Sequence, residues 1–403
     1  FLYVFGALWT LLILWWKGHA FVLGQHISGY RWQDYFFNAW IIRLQESQLY
    51  DPFRNPLHGY LLSSFGEAIH SYIHAAILIS SLSVTLAVLV LGWGVRQCSG
   101  RGAGAITMLT LAYSSLVYDA TNWGNLYPML GGLIGIVVGM SLVCFQSSLK
   151  NRWIFFLFPF SILLWAADPR GIPIAIVALI GIFLYSIEWG KTSYQKLVLL
   201  CTLSLFSIYL GMQLEDGLGM AEGKHLQANS YLEEQKLVIY RWLTITNNPI
   251  MSQMCSSIDT SIILTPSLLS TDCGMEMIKE NLVIQIPKGH ILPVNFLWFG
   301  LILAIVPPHY RSRGTTSWFI RVSFLGYLAV HVITMPIVQR YMHIFIMPLL
   351  SISILGALRF VPQKLWVRTM CVCSFIAYIG LYSSQIPSPS SIANDKYNNV
   401  SLE

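Results

Sequence analysis

Long runs of apolar residues, almost free of charge, recur along nearly the whole chain, and they constrain it more than any other feature. A helix needs about 20 such residues to cross the hydrocarbon layer of a membrane. The runs lie at roughly 2–16, 72–94, 103–118, 126–146, 153–167, 171–187, 197–213, 292–307, 322–337, 341–358 and 369–383. Several are short enough to need a tight hairpin or a locally thinned bilayer. Only 10% of the 403 residues are charged and 55% are hydrophobic, whereas a soluble domain carries about 25% charged residues. So few charges do not cover a water-facing surface of this size. A soluble enzyme, a nucleic-acid-binding module and a disordered tail are excluded. The fold class implied is an all-α polytopic membrane protein with about eleven transmembrane helices. The chain opens on Phe1 and not on Met, so residues are expected upstream of the first span.

The net charge of +6 takes its meaning from where the charges lie. One set of loops holds Arg96, Arg101, Lys150, Arg152, Lys191, Lys196, Arg311, Arg313, Arg321, Arg359, Lys364 and Arg368, with Glu188 the sole acidic residue among them. The opposing short loops hold only Arg170 and Arg340. Basic loops stay in the cytoplasm, so the long loops 17–71 and 214–291 and the tail face outward. The expected organisation is an N-terminal transmembrane module over 1–213 with its outward loop 17–71, an outward subdomain over 214–291, C-terminal transmembrane helices over 292–383, and an outward tail over 384–403.

The outward subdomain is the most polar stretch. Its pattern predicts a helix near 230–246 and short extended pieces such as Leu282-Val283-Ile284. Cys255 and Cys273 both lie in it, in a compartment that permits disulfides, and a bridge and two free thiols are both open. Cys98, Cys144, Cys201, Cys371 and Cys373 fall in or beside spans, where a thiol acts as a small apolar group. Gly131, Gly132, Gly135 and Gly139 give the fourth run a small-residue face suited to close helix packing.

The first outward loop carries the most informative polar groups. From Gln33 to Gln48 it fits an amphipathic helix, too short and too charged to span, of the kind that lies in the membrane interface. Asp34 stands near its start, at headgroup depth. A carboxylate there also simply favours the helix dipole. Beyond it, Tyr50-Asp51-Pro52 and Asn55-Pro56-Leu57-His58-Gly59-Tyr60 read as a turn-rich link to the second span.

This order of features resembles the GT-C superfamily of membrane glycosyltransferases, which includes protein O-mannosyltransferases and aminoarabinose transferases. The likeness rests on Asp34-Tyr35-Phe36-Phe37-Asn38-Ala39 after the first span and on the Tyr-x-Pro turn at Leu49-Tyr50-Asp51-Pro52. It rests also on Gln339-Arg340-Tyr341 opening a late span that contains Pro348. It runs loosely over residues 1–360. Two features depart from the family pattern. Many relatives carry a second acidic residue beside the first, and here Gln33 and Tyr35 flank Asp34. The outward subdomain matches no domain of the family.

The resemblance implies transfer of a sugar from a polyprenyl-phosphate donor to an acceptor at the outer face. Asp34 would be the catalytic base. Arg340, Tyr341, Arg170, Asp119 and Tyr50 would bind substrate. The bacterial inner membrane, with the active face toward the periplasm, is the expected location. Membrane lipids and other membrane subunits are the remaining expected partners, with no nucleic acid. The acceptor hydroxyl needs a base, and the leaving phosphate needs cationic or metal partners. A divalent metal ion is therefore an open expectation.

Each residue also has a plainer reading. Arg170 would pair with Asp168, and Arg340 would anchor the interface. Asp119, in the link Tyr118 to Asn125, would cap a turn. His70 and His74, near Glu67, are spaced to share a helix face and would bind a metal or tetrapyrrole, or simply hydrogen-bond at the interface. No phosphate-binding glycine loop, His-Glu-x-x-His motif or regular arginine series is present. A non-catalytic subunit of a larger assembly and a secondary transporter are the alternative readings.

The charge asymmetry generates a test. A cysteine introduced at Asn229 should resist membrane-impermeant thiol reagents applied from the cytoplasmic side and react from the other. Labelling from the cytoplasmic side would invert the topology.

Overall fold

A computed structural model describes residues 56–114, 126–146, 153–188, 194–216, 272–286, 294–306, 315–334 and 339–359, parts of 3–12 and 39–44, and positions 373 and 377. Among the described residues there is no strand, only helices and the short turns that join them. The helices are α1 (Pro56–Ile69), α2 (Tyr72–Ser99), α3 (Arg101–Tyr113), α4 (Leu126–Gln146), α5 (Ile154–Ala167), α6 (Ile172–Glu188) and α7 (Tyr194–Asp216). They continue with α8 (Asp272–Glu280), α9 (Val294–Ile305), α10 (Thr315–Thr334) and α11 (Gln339–Arg359). A lipid layer demands this, because a helix satisfies its backbone polar groups within its own segment.

The stretches His74–Ser99, Leu126–Phe145, Gln195–Gln213 and Thr316–Ile333 are long and apolar enough to cross a membrane. Ile154–Ala167, Ile172–Tyr185, Asn295–Ile305 and Ile344–Leu358 are shorter apolar helices. The chain is a multi-pass membrane protein. Most of the last predicted run, 369–383, lies outside the described residues, as do 17–38 and 217–271.

α4 is the centre of the bundle, its apolar span entirely buried. Glycines put it there. A Cβ at Gly132 would stand 2.7 Å from Ser83 of α2, and one at Gly139 would stand 2.9 Å from the backbone of Val90 and Leu91. From the other side, a Cβ at Gly94 would meet the Gly139 carbonyl at 2.8 Å. The α2 and α4 backbones therefore touch, as the small-residue face predicts. In lipid, helices associate through close packing and not through the hydrophobic effect. A second seam of the same kind joins α9 and α11, where Gly300 and Gly356 face each other's helices and Ser353 Oγ donates to the Leu297 carbonyl at 3.0 Å. Several hydroxyls inside the bundle are satisfied locally. Thr107, Thr110, Ser141 and Ser351 each donate to the carbonyl four residues back, which avoids the cost of an unpaired polar group in an apolar interior.

Side-chain contacts sort into two ends. At one end the Arg96 guanidinium lies 4.5 Å above the Tyr3 ring, Trp93 packs edge-on against Trp153 at 5.0 Å, and Trp318 donates to the Ile305 carbonyl. At the other end lie the α1–α2 turn, the start of α4, the α5–α6 turn and the end of α10. Arg96, Arg101 and Arg321 belong to the first end and Arg170 to the second, which is the distribution read from the loops.

Three local expectations are corrected. Residues 56–60, expected in a turn-rich link, are instead the start of helix α1. Pro56 opens it, where a missing N–H costs nothing, and Leu57, Leu61, Leu62 and Phe65 form a face against the core. Leu282-Val283-Ile284 is not extended; it lies in a π-helical turn, Asn281–Gln285, that continues α8. A short apolar run is ambiguous between strand and helix, and the preceding helix decides. Finally, α10 begins at Thr315, not near 322, so Arg321 is inside the helix and buried, donating from Nε to the Ser317 carbonyl at 3.2 Å.

The α2–α4 seam makes a prediction. Gly139→Leu should destabilise the fold by about 1–3 kcal/mol or more, the usual cost of overpacking. Gly326, with open space where its Cβ would be, should accept alanine without loss. Thermal unfolding in detergent compares the two, and equal melting would remove the seam from its central role.

Candidate functional site

The second end of the bundle gathers the polar groups. The α5–α6 connection is one 3₁₀ turn, Pro169–Gly171. Asp168 precedes it, almost fully buried. Its carboxylate follows the C-terminus of α5, where negative charge is disfavoured, and faces the N-terminus of α6, where it is favoured. Asp168 Oδ1 accepts the Arg170 backbone N–H at 2.8 Å, and the Gly171 N–H donates to the Asp168 carbonyl at 2.9 Å. The Arg170 Nε lies 3.9 Å from the same carboxylate oxygen. The local pairing expected as the plainer reading is thus present.

More than local pairing holds Arg170. Its guanidinium carbon lies 5.4 Å from the centre of the Tyr127 ring, on the first turn of α4, a distance at which a cation is attracted to the ring face. Its carbonyl accepts the Tyr327 hydroxyl of α10 at 2.6 Å. Arg170 therefore sits where α4, α5, α6 and α10 meet, with its side chain 18% exposed.

α10 supplies the far wall. Tyr327 packs against His331 at 4.4 Å and Phe345 at 5.6 Å between ring centres. The His331 Nδ1 lies 2.9 Å from the Tyr327 carbonyl. One residue on, the Val332 carbonyl accepts the side-chain amide of Asn281 at 2.9 Å. That carbonyl is among the last four of α10, which have no partner within the helix. A fully buried asparagine in the π-helical turn after α8 thus closes the end of α10 and ties residues 272–286 to this end of the bundle.

Near the α1–α2 turn, Arg43 and Glu67 form an exposed ion pair at 2.9 Å. Residues 39–40 and 42–44 are helical and Ala39 is buried in the core. The end of the expected interfacial helix therefore lies against α1. Asp34, Tyr50 and Asp119 lie outside the described residues. Arg340 and Tyr341 are in the first turn of α11, and their side chains lie outside the described residues. Cys255 is outside them too, as is the Cys273 side chain.

The histidine expectation is corrected. His70 has a left-handed backbone, φ 57°, in the turn that ends α1, while His74 is in the first turn of α2 behind its cap Ser71. They do not share a helix face. His74 Nδ1 is 2.7 Å from the Ser71 hydroxyl. Among the described residues no three His, Cys, Asp or Glu side chains gather to hold a metal, and the expected carboxylates, Asp34 and Asp119, are not among them. Tyr127, Tyr327, His331 and Asn281 were not legible as site residues, because each reads as an ordinary member of an apolar span or polar loop. Nothing in the sequence pairs Arg170 with a tyrosine 157 residues away.

No family model matches the sequence, and a search of curated proteins finds none similar to it. Solved structures do match. The crystal structure of ArnT from Cupriavidus metallidurans bound to undecaprenyl phosphate aligns with a TM-score of 0.54 and 16% identity, over 95% of this chain and 64% of that one. The archaeal oligosaccharyltransferase AglB from Archaeoglobus fulgidus, in complex with an inhibitory peptide and a dolichol-phosphate, aligns at 0.50 and 14% identity, over 93% and 54%. The Archaeoglobus fulgidus oligosaccharyltransferase in complex with Zn and sulfate aligns at 0.52 and 14% identity, over 93% and 51%. At this identity the likeness is one of fold alone, the helical fold of these solved structures. The chain spans less than two thirds of the length of these structures.

The Asn281 tie is testable. Asn281→Ala leaves a buried carbonyl without its donor, a loss of about 1–3 kcal/mol. Amide exchange across 272–286 should accelerate while that of α2 and α4 stays unchanged. Unchanged exchange in 272–286 would mean that other contacts hold the segment.

Proposed function

We propose that this protein transfers a sugar from a polyprenyl-phosphate-linked donor to an acceptor at the outer face of a bacterial inner membrane. The observation that carries the reading is Arg170, a guanidinium held against Tyr127 at the outward end of a bundle with the GT-C fold. Arginine meets phosphate oxygens with a rigid fork of donors. Two structures of similar fold hold a polyprenyl phosphate, undecaprenyl phosphate in one and dolichol-phosphate in the other.

In this reading Arg170 and Arg340 contact the donor phosphate, and Tyr341, Tyr50 and Asp119 line the substrate site. The acceptor hydroxyl oxygen attacks the anomeric carbon and the bond from that carbon to the phosphate oxygen breaks. The phosphate leaves on its lipid carrier, and Asp34 takes the acceptor's proton. The guanidinium groups offset the negative charge that builds on the leaving oxygen. An apolar groove of about 330 Å³ between α6 and α7, lined by Ile176, Ile180, Phe183, Leu200 and Leu205 among others, begins on α6 at Ile176 and suits part of an isoprenoid tail. Among the described residues, the buried Asp168 and Arg321 and the part-buried Arg170 lie at the ends of the bundle. A transporter would place such groups near the midplane.

The decisive residue is Asp34. Asp34→Asn keeps the shape and removes the base, so transfer from polyprenyl-phosphate sugars should fall by about 10²–10⁴ with protein level unchanged. Arg340→Lys should weaken donor binding in parallel, since it keeps the charge but loses the fork. Full activity in Asp34→Asn would move the base elsewhere, Asp119 first. A wild type that transfers from no donor would favour a non-catalytic subunit.

A further inference from the structure

The geometry points to Tyr327 as a positioning residue that fixes Arg170 for the donor phosphate, and this inference rests on the donor reading above. The Tyr327 hydroxyl reaches across from α10 and donates to the Arg170 carbonyl at 2.6 Å. This hydrogen bond joins the α5–α6 turn to α10, and it falls on the residue whose side chain would meet the phosphate. Within the turn, Asp168 Oδ1 accepts the Arg170 N–H and the Asp168 carbonyl accepts the Gly171 N–H. Local bonds of that kind set the shape of the turn but not its place relative to the rest of the bundle. Tyr127 meets the Arg170 side chain from α4, and the Tyr327 hydroxyl ties the backbone of the turn to α10.

The tyrosine is itself well held. Its ring is nearly buried and packed against Phe324, His331 and Phe345. Its helix is tied at the end by Asn281 on the Val332 carbonyl. Phe345 is on α11, the helix whose first turn carries Arg340. One side chain thus touches α11 with its ring and the Arg170 turn with its hydroxyl. It therefore links the helix that carries Arg340 to the turn that carries Arg170. A two-pronged phosphate clamp works only if its prongs are held at the right separation before the ligand arrives.

The test is full-length protein in nanodiscs, titrated with undecaprenyl phosphate and, separately, with undecaprenol, which has the same tail and no phosphate. Tyr327→Phe keeps the ring and removes only the hydroxyl. It should weaken undecaprenyl phosphate binding about 3- to 10-fold, the range expected for one neutral hydrogen bond, and leave undecaprenol binding unchanged. In an Arg170→Ala background the same substitution should add no further loss, since residues acting through one another are non-additive. Equal weakening of both probes would indicate a structural role and overturn the inference. So would full additivity with Arg170→Ala. Phosphate-dependent binding by the wild type that Tyr327→Phe leaves intact overturns the positioning role alone. No phosphate-dependent binding by the wild type overturns the donor reading and this inference with it.

Discussion

Direct contact between the backbones of α2 and α4 is the constraint on which the rest of the structure depends. Lipid gives apolar helices no reason to prefer one another over acyl chains, so association rests on how closely they pack. Gly132, Gly135 and Gly139 on α4, with Gly94 on α2, remove the side chains that would hold the two apart. α4 becomes a fully buried axis, and α5, α6, α10 and α11 pack around it. The position of Tyr127 follows, because it stands on the first turn of that axis. An arginine facing Tyr127 is then referenced to the most deeply buried span of the bundle.

The end of the bundle that holds Arg170 shows how a short turn gathers side chains from several helices. Three residues, Pro169 to Gly171, join two apolar helices. Such a connection needs only a tight reversal, and a buried Asp168 stabilises one by accepting from the next-but-one N–H. The same carboxylate and the Tyr127 ring hold the Arg170 side chain, and Tyr327 holds its backbone. A basic residue of a membrane hairpin is thereby taken out of the snorkelling population and given one place. The segment 272–286 adds to this end through Asn281, which closes the terminus of α10 beside His331.

The sequence and the structure part company at identifiable places. α1 was obscured by two prolines and a glycine that read as turns, yet Pro56 falls at a helix start, where proline is at home. His70 and His74 had helical spacing, but a left-handed residue between two helices breaks the face they would share. Arg321 read as a loop cation because charge ends an apolar window, whereas the helix begins two turns earlier and buries it. In each case a rule of composition was applied to a residue whose neighbours in space, unknown to the sequence, decided the outcome.

By itself the sequence determined the solvent of this protein, its helical class, the placement of most spans and the side on which charge accumulates. These follow from how many apolar residues run together and where the arginines interrupt them, both properties of the chain read in order. It also marked Arg170 as one of two cations in the short loops opposite the basic ones, and marked the glycine face of α4. What only the tertiary structure decided is which residues share a site. Arg170, Tyr127, Tyr327 and Asn281 come from separate helices and turns. Their meeting depends on helix rotation and crossing, which are set by packing across the whole bundle and leave no local trace in the sequence.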